Sequence, residues 1–358
     1  MGYNKLTSLS ANIKAIETAV AIHSQGRTAT QEEKQVLAQY SGFGGIKDVL
    51  DLGTDKPLDK GVAGLLNRLL DALRTLAGGD EAACRSLVES IKSSVLTAFY
   101  TPQFLIDAVA AQIHKTFSAN GLQMQSFLEP SAGIGGFLPV AMPGTRSYAF
   151  EKDTITGLVL SLLHEDATAV TAGVELEHRK FDVIASNIPF GNFRVFDADL
   201  WKKGGIYEQA TKTIHNYFFV KAMELLSDGG LLAFVTSRGV ADTAGNKFVR
   251  EYLVNYADLI SAVRLPDALF MQTSGIEVGS DLLIFQKHTN KAALSAREQM
   301  FLQVGKEMYD MNGTMTENAN RLFSMPKTVL ATDSRIVMNQ HGKYVRKHQW
   351  LGSDAAMA

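Results

Sequence analysis

Two rhythms of hydrophobic residues divide the chain. Up to about residue 95, apolar positions recur every third and fourth residue in NIKAIETAVAIH, TQEEKQVLAQY and GLLNRLLDALRTL, the spacing that gives a helix one apolar face. Thr30 ahead of Gln31-Glu32-Glu33 has the form of a helix start. A glycine-rich break, SGFGGIK at 41–47, interrupts these helices. From about 126 to 287 short apolar runs alternate with helical stretches. The runs predict strands at 125–129, 146–150, 181–186, 230–236, 259–264 and 281–287, and the stretches predict helices at 103–116, 154–164, 213–227 and 245–256. Such alternation specifies an α/β fold, a mostly parallel sheet with helices on both faces. The last two strands are joined by LPDALFMQTSGIEVGSD, which has no crossover helix, so they are expected as an antiparallel pair at one edge. Residues 288–358 are polar, lack clear strands and are expected to be partly helical. Three regions follow: a helical region at 1–95, an α/β domain at 96–290, and a C-terminal extension, or the start of a further domain, at 291–358.

Composition narrows the classes. With 358 residues and 46% hydrophobic content the chain can bury a large core. Lys and Arg number 35 against 37 acidic residues, a net charge of −2, so attraction to nucleic acid must come from a local patch. The single cysteine, Cys84, excludes an internal disulfide framework and a cysteine-based zinc site. No run of 18 apolar residues and no leader pattern occurs, and a soluble cytoplasmic protein without membrane contact is expected.

Ligands of open parallel sheets bind beyond the carboxyl ends of the strands, so the residues just after each strand carry the chemistry. The first strand ends in FLEPSAGIGGFLP, 127–139. Its glycines let the backbone turn tightly and approach a ligand, but Leu138 breaks the GxGxxG spacing, and Glu129 would repel a phosphate. A cationic or zwitterionic ligand fits better, and a glycine turn serving packing alone is the competing reading. The second strand ends in Glu151, 18 residues after Gly133, where a carboxylate can span the vicinal hydroxyls of a ribose. Glu175, or failing it Glu177, is placed to reach an adenine amino group. The strand at 181–186 runs into Asn187-Ile188-Pro189-Phe190. Asn187 offers a side-chain oxygen to an exocyclic amine, and Pro189 stiffens the turn that aims the Ile188 carbonyl at the same nitrogen. Phe190 offers a face on which a base can stack, worth about 1–3 kcal/mol. An Asn-Pro turn that merely ends a strand is the alternative.

Taken in order, Phe99-Tyr100-Thr101-Pro102, Glu129-Pro130-Ser131-Ala132-Gly133-Ile134-Gly135-Gly136-Phe137 and Asn187-Ile188-Pro189-Phe190 resemble the S-adenosylmethionine-dependent N6-adenine DNA methyltransferases of the gamma motif order. YSGFGGI, NIPFG and IHNYFFVKAMELLSDGGLLAFVTSRGV more narrowly resemble the methylase portions of methyltransferase–helicase proteins of bacterial mobile elements and phages. The resemblance implies a Rossmann-like methyltransferase sheet, S-adenosylmethionine as cofactor, DNA as substrate, a helicase domain or protein as partner, and no metal. It implies that Tyr100, Thr101 and Pro102 pack beside the methionine moiety. Glu129, Pro130, Ser131, Ala132, Gly133, Gly135 and Phe137 line the cofactor's amino-acid end, Glu151 holds the ribose and Glu175 the adenine. Asn187, Ile188, Pro189 and Phe190 hold the target base. Ile188 departs from the family's usual proline. The segment 191–216, with Arg194, Lys202, Lys203, Lys212, Phe193, Phe196 and Trp201, is read as a mobile loop over DNA or as a solvated insertion. Three other classes share part of this pattern: a protein-glutamine or ribosomal-RNA methyltransferase, a non-catalytic binding module beside a helicase, and a dinucleotide-dependent oxidoreductase.

Overall fold

The computed structural model describes residues 3–54, 56, 58–95, 98–165, 167–170, 179–308, 316–338, 342 and 344–352. Four helices come first: α1 (Lys5–Ser24), α2 (Gln31–Leu37), α3 (Lys60–Leu76) and α4 (Glu81–Ser94). Thr30 caps α2 as its sequence predicts, in a reciprocal box with Glu33. Then follow α5 (Gln103–Ala119), β1 (Ser126–Glu129), β2 (Arg146–Phe150), α6 (Thr154–Leu163), β3 (Thr168–Val170) and β4 (Phe181–Asn187). After these come α7 (Ala198–Lys203), α8 (Gly205–Ala210), α9 (Ile214–Leu225), β5 (Leu226–Ser237), α10 (Gly239–Asp242), α11 (Lys247–Tyr256), β6 (Ala257–Arg264), α12 (Met271–Ser274) and β7 (Ser280–Lys287). The chain closes with α13 (Ala296–Phe301), β8 (Val304–Met308), β9 (Thr316–Asn320), β10 (Asp333–Met338) and β11 (Tyr344–Gln349).

Seven strands form one sheet in the order β3-β2-β1-β4-β5-β7-β6. All pairings from β3 to β5 are parallel. β7 runs antiparallel to both β5 and β6, the reversed pair expected near the edge. Both faces are covered because side chains alternate along each strand. On β4, Val183 and Ala185 pack with Ile106 and Ile113 of α5, whereas Ile184 packs with Phe219 of α9 and Leu253 of α11. β1 and β4 are central neighbours whose other partners lie on opposite sides, so the crevice of this sheet opens beyond Glu129 and Asn187.

The helices before residue 95 share their core with the sheet domain. Leu9, Ile13, Ile16 and Leu69 cluster with Ile155 and Val159 of α6. A polar chain crosses the same seam: the Tyr40 hydroxyl lies 3.1 Å from Thr156 Oγ1, which donates to Asp153, and Ser90 donates to the other Asp153 oxygen.

Two expectations fail. The edge strand β3 is absent from the predicted set, because a three-residue segment carries no usable alternation. Residues 288–358 do contain strands: β8 pairs with β9 and β10 with β11, as two antiparallel ribbons. Their sequences mislead because a two-stranded ribbon buries little; DSRIVM has no buried position. The segment 191–216 is largely helical. α7 and α8 are anchored by buried Leu200 and Ala210, and Asp197 accepts from Tyr217 Oη and Lys221 Nζ. Phe196 and Trp201 are left exposed on its surface. No helix among the described residues is long and apolar enough to cross a membrane.

Candidate cofactor and target-base site

The loop after β1 is a run of turns followed by a short 3-10 turn at Leu138–Val140, not the start of an α-helix. Its N–H groups point at the chain's own carboxylates. Gly133 N–H donates to Glu151 Oε2 at 2.8 Å, and Phe137 N–H donates to Glu129 Oε1 at 3.0 Å. Asp153 N–H takes the other Glu151 oxygen at 2.8 Å. A loop whose donors already serve two carboxylates has little left for a pyrophosphate, in agreement with the broken glycine spacing. The loop is tied to both neighbouring strands, since Ala132 N–H donates to the Phe150 carbonyl and Ser186 Oγ to the Ser131 carbonyl. Gly135, at φ +87°, packs against His164, whose ring holds the Ile134 carbonyl.

Burial sets the electrostatics. Glu129 is buried, and desolvation pushes its carboxyl well above the ordinary range against the pull of the Phe137 N–H. Burial likewise raises Glu151 to about 7. Glu129 Oε2 has no hydrogen-bond partner among the described residues. A buried carboxyl of this kind is stabilised most by a cationic donor.

Tyr100 stands between two glycine turns. A Cβ on Gly133, at φ +56°, would lie 2.8 Å from Tyr100 Cε1, and one on Gly42, at φ +68°, would lie 2.9 Å from Cε2. Burial, then the charges of neighbouring Tyr40, Glu151, Asp153 and Glu129, hold the Tyr100 hydroxyl protonated. The Tyr100 carbonyl accepts from Thr273 Oγ1 at 3.0 Å. Thr101 Oγ1 is buried without a partner, and the Pro102 carbonyl accepts from Leu105 at the start of α5. Pro130 lies part-buried beside this loop.

At the end of β4 the Asn187 amide donates from Nδ2 to the Phe99 carbonyl at 2.6 Å. A carbonyl only accepts, so this bond fixes which way the amide faces. Asn187 Oδ1 is therefore turned away from Phe99, and it is buried with no donor among the described residues. Ile188 explains its own departure from proline: its N–H donates to the Val235 carbonyl at 3.0 Å and its side chain is in the core. A proline has no N–H for that bond. Pro189 is part-buried, and Phe190 meets Phe270 edge to face, with ring centroids 5.9 Å apart. Gly191 follows with the Phe193 ring against it.

The structure thus brings Tyr100, Thr101, Glu129, Gly133, Glu151 and Asn187 to one end of the sheet. Glu175 and Glu177 lie outside the described residues. Sequence reasoning missed Thr273 and Asn12. Thr273 and Asn12 carry no motif signal, and the glycine cluster at 41–47 is the local hint of the turn that meets Tyr100. His215 is buried at the entry to α9, and desolvation lowers its pKa to about 4, so it is a neutral core group. A second cleft of about 310 Å³ lies beyond β5 and β6, lined by Arg238, Asp242, Arg264 and His348. Arg264 is closed there by Asp242 and Asp281 and stacked on Phe323.

Residues 153–325 match the family model of the N-6 DNA methylases. The chain is 25% identical over 291 residues to the Defense against restriction protein B of Escherichia phage P1, covering 79% of this chain and 10% of that protein. It therefore spans about a tenth of the length of the curated relative it matches. Similar solved structures include a protein designated a class I S-adenosylmethionine-dependent methyltransferase from Listeria monocytogenes, at 15% identity and TM-score 0.49, covering 81% of this chain and 91% of that one. Another is a type I restriction-modification methyltransferase subunit from Streptococcus thermophilus, at 14% identity and TM-score 0.46, covering 80% and 79%.

Proposed function

From the match of residues 153–325 to the N-6 DNA methylase family model, we propose that the chain transfers a methyl group from S-adenosylmethionine to the N6 amino group of adenine in DNA. The observation that carries this reading is the Asn187 amide, clamped by Phe99 with its oxygen buried and unanswered. An exocyclic amine conjugated with a ring is a poor nucleophile; an acceptor for its N–H groups draws electron density back to nitrogen. Asn187 Oδ1 is one such acceptor, and the Ile188 carbonyl is the second. The adenine leaves the duplex stack at a cost of a few kcal/mol, offset by these bonds and by the ring of Phe190.

The residues fit the cofactor. The unpartnered Glu129 Oε2 suits its ammonium group, and Glu151 its ribose hydroxyls. Thr101 Oγ1 and the Tyr100 ring bound the methionine side. Bound S-adenosylmethionine supplies a methyl group already activated by a sulfonium, so the chain's share is to position the amine in line and to exclude water. Exposed Phe196, Trp201, Arg194 and Lys202 flank the turn and offer stacking and phosphate contacts to the strand. A helicase-bearing polypeptide is the proposed partner, on the strength of the sequence resemblance.

The test is transfer of labelled methyl from S-adenosylmethionine to mixed-sequence unmethylated DNA, with nucleoside analysis of the product. N6-methyladenine from the native chain and none from Asn187→Ala is the expected result. Label in RNA or protein instead of DNA assigns the site to another substrate, and cofactor binding without transfer assigns it to a binding module.

A further inference from the structure

The N-terminal helices lie before the stretch matched by the methylase family, yet one of their turns packs against Tyr100, on the side away from Gly133. Ser41 to Gly45 fold against Phe99-Tyr100 so closely that a Cβ on Gly44 would fall 1.9 Å from the Ala98 carbonyl oxygen. Gly42, with a positive φ, meets Tyr100 on the side opposite Gly133, and Gly45 abuts the Ser274 carbonyl at the end of α12. Gly45 N–H is held by the Val95 carbonyl. The turn is buckled to α1 by Asn12, which is fully buried. Asn12 Nδ2 donates to the Gly42 carbonyl at 2.5 Å, and its Oδ1 accepts from Ser41 N–H at 2.8 Å. A buried amide that uses both ends on one turn fixes that turn's place, and with it the place of Tyr100.

We propose that the Ser41–Gly45 turn is the third wall of the pocket for the methionine end of S-adenosylmethionine, and that Asn12 is the positioning residue that holds it there. The proposal rests on the methyl-transfer reading above. The pocket then has walls from three parts of the chain: Gly133 after β1, Thr273 with Ser274 at α12, and Gly42 from the N-terminal region, with Tyr100 between them. The same clamp continues to Asn187, because the Phe99 carbonyl that orients its amide belongs to the segment the turn presses on. The N-terminal region is thereby part of the cofactor site.

Calorimetric titration of the full chain with S-adenosylmethionine and, separately, with adenosine tests this. Adenosine lacks the methionine end and so does not report on the third wall. Asn12→Ala and Gly42→Ala are expected to weaken S-adenosylmethionine by about tenfold or more while changing adenosine affinity less than about twofold. Loss of fold lowers the active fraction for both ligands alike and leaves their affinity ratio unmoved, so the ratio separates positioning from collapse. Asn12→Asp, which keeps the acceptor for Ser41 and loses the donor for Gly42, is expected to lie between and serves where Asn12→Ala does not fold. Equal weakening of both ligands, or of neither, overturns the proposal. A native chain that binds neither ligand overturns the methyl-transfer reading itself.

Discussion

The two strand ends that meet at the centre of the sheet are built in opposite ways. Beyond β1 and β2, both Glu151 oxygens and Glu129 Oε1 are met by the chain's own N–H groups from Gly133, Asp153 and Phe137, while Glu129 Oε2 has no partner among the described residues. Beyond β4, the Asn187 amide is anchored on its donor side alone, and its buried oxygen has no donor among the described residues. The first arrangement meets three of its four carboxyl oxygens from within the chain. In the proposed reading, an N–H of the target amine completes the second. A buried polar atom left unsatisfied costs about 1–3 kcal/mol, a cost that sets Asn187 Oδ1 and Glu129 Oε2 apart from the satisfied Glu151 as candidate positions for a ligand's donor.

The largest expected effect on the carboxylate side comes from Gly133→Ala. The methyl group enters a left-handed backbone position and meets the Tyr100 ring at 2.8 Å. Cofactor affinity should fall more than tenfold and stability by about 1–2 kcal/mol or more from the backbone alone. Gly121 has φ +63° and open space around it, so Gly121→Ala should show the backbone cost without the loss of binding. Equal binding by the two variants breaks the claim that the loop shapes the pocket.

A smaller effect is the pH dependence of the same side. Below about 4.5, its ordinary value, the Glu151 carboxyl is protonated in folded and unfolded chains alike. Between 4.5 and about 7 the unfolded chain ionises while the folded chain keeps it neutral, so stability falls as pH rises through that window. The loss attributable to this group is roughly 3 kcal/mol, flat above the folded value. Urea unfolding at pH 5 and pH 8 should show less of this fall in Glu151→Gln than in the native chain. Identical falls in both would remove Glu151 from the account.

The smallest effect is expected from Ile188→Pro. The family's usual residue deletes the N–H bonded to Val235 and should cost about 1 kcal/mol in thermal unfolding, with cofactor affinity unchanged.

The sheet was largely legible from the pattern, because its strands are apolar runs cut off by turn residues. Asn187 and Gly133 were legible for the same reason, as abrupt polar or glycine positions at strand ends. β3 and the two C-terminal ribbons were not, since three residues or a mostly exposed pair leave no periodic signal. The clamps on the site were illegible for another reason. Asn12 meets a turn 30 positions away and Thr273 meets Tyr100 173 positions away, and no local pattern encodes such contacts. The proline replaced by Ile188 looked like a weakness in the sequence and is a backbone hydrogen bond in the fold.

The central claim is that Asn187 acts on the target amine and not on the cofactor. Its most direct test is the rate of methyl transfer by Asn187→Ala set beside that variant's affinity for S-adenosylmethionine. A group aimed at charge that develops in the reaction is worth about 10²–10³ in rate, so transfer should fall by that much while cofactor affinity stays within about twofold. A variant that transfers methyl at the native rate, or that loses the cofactor and the rate together, would contradict the account.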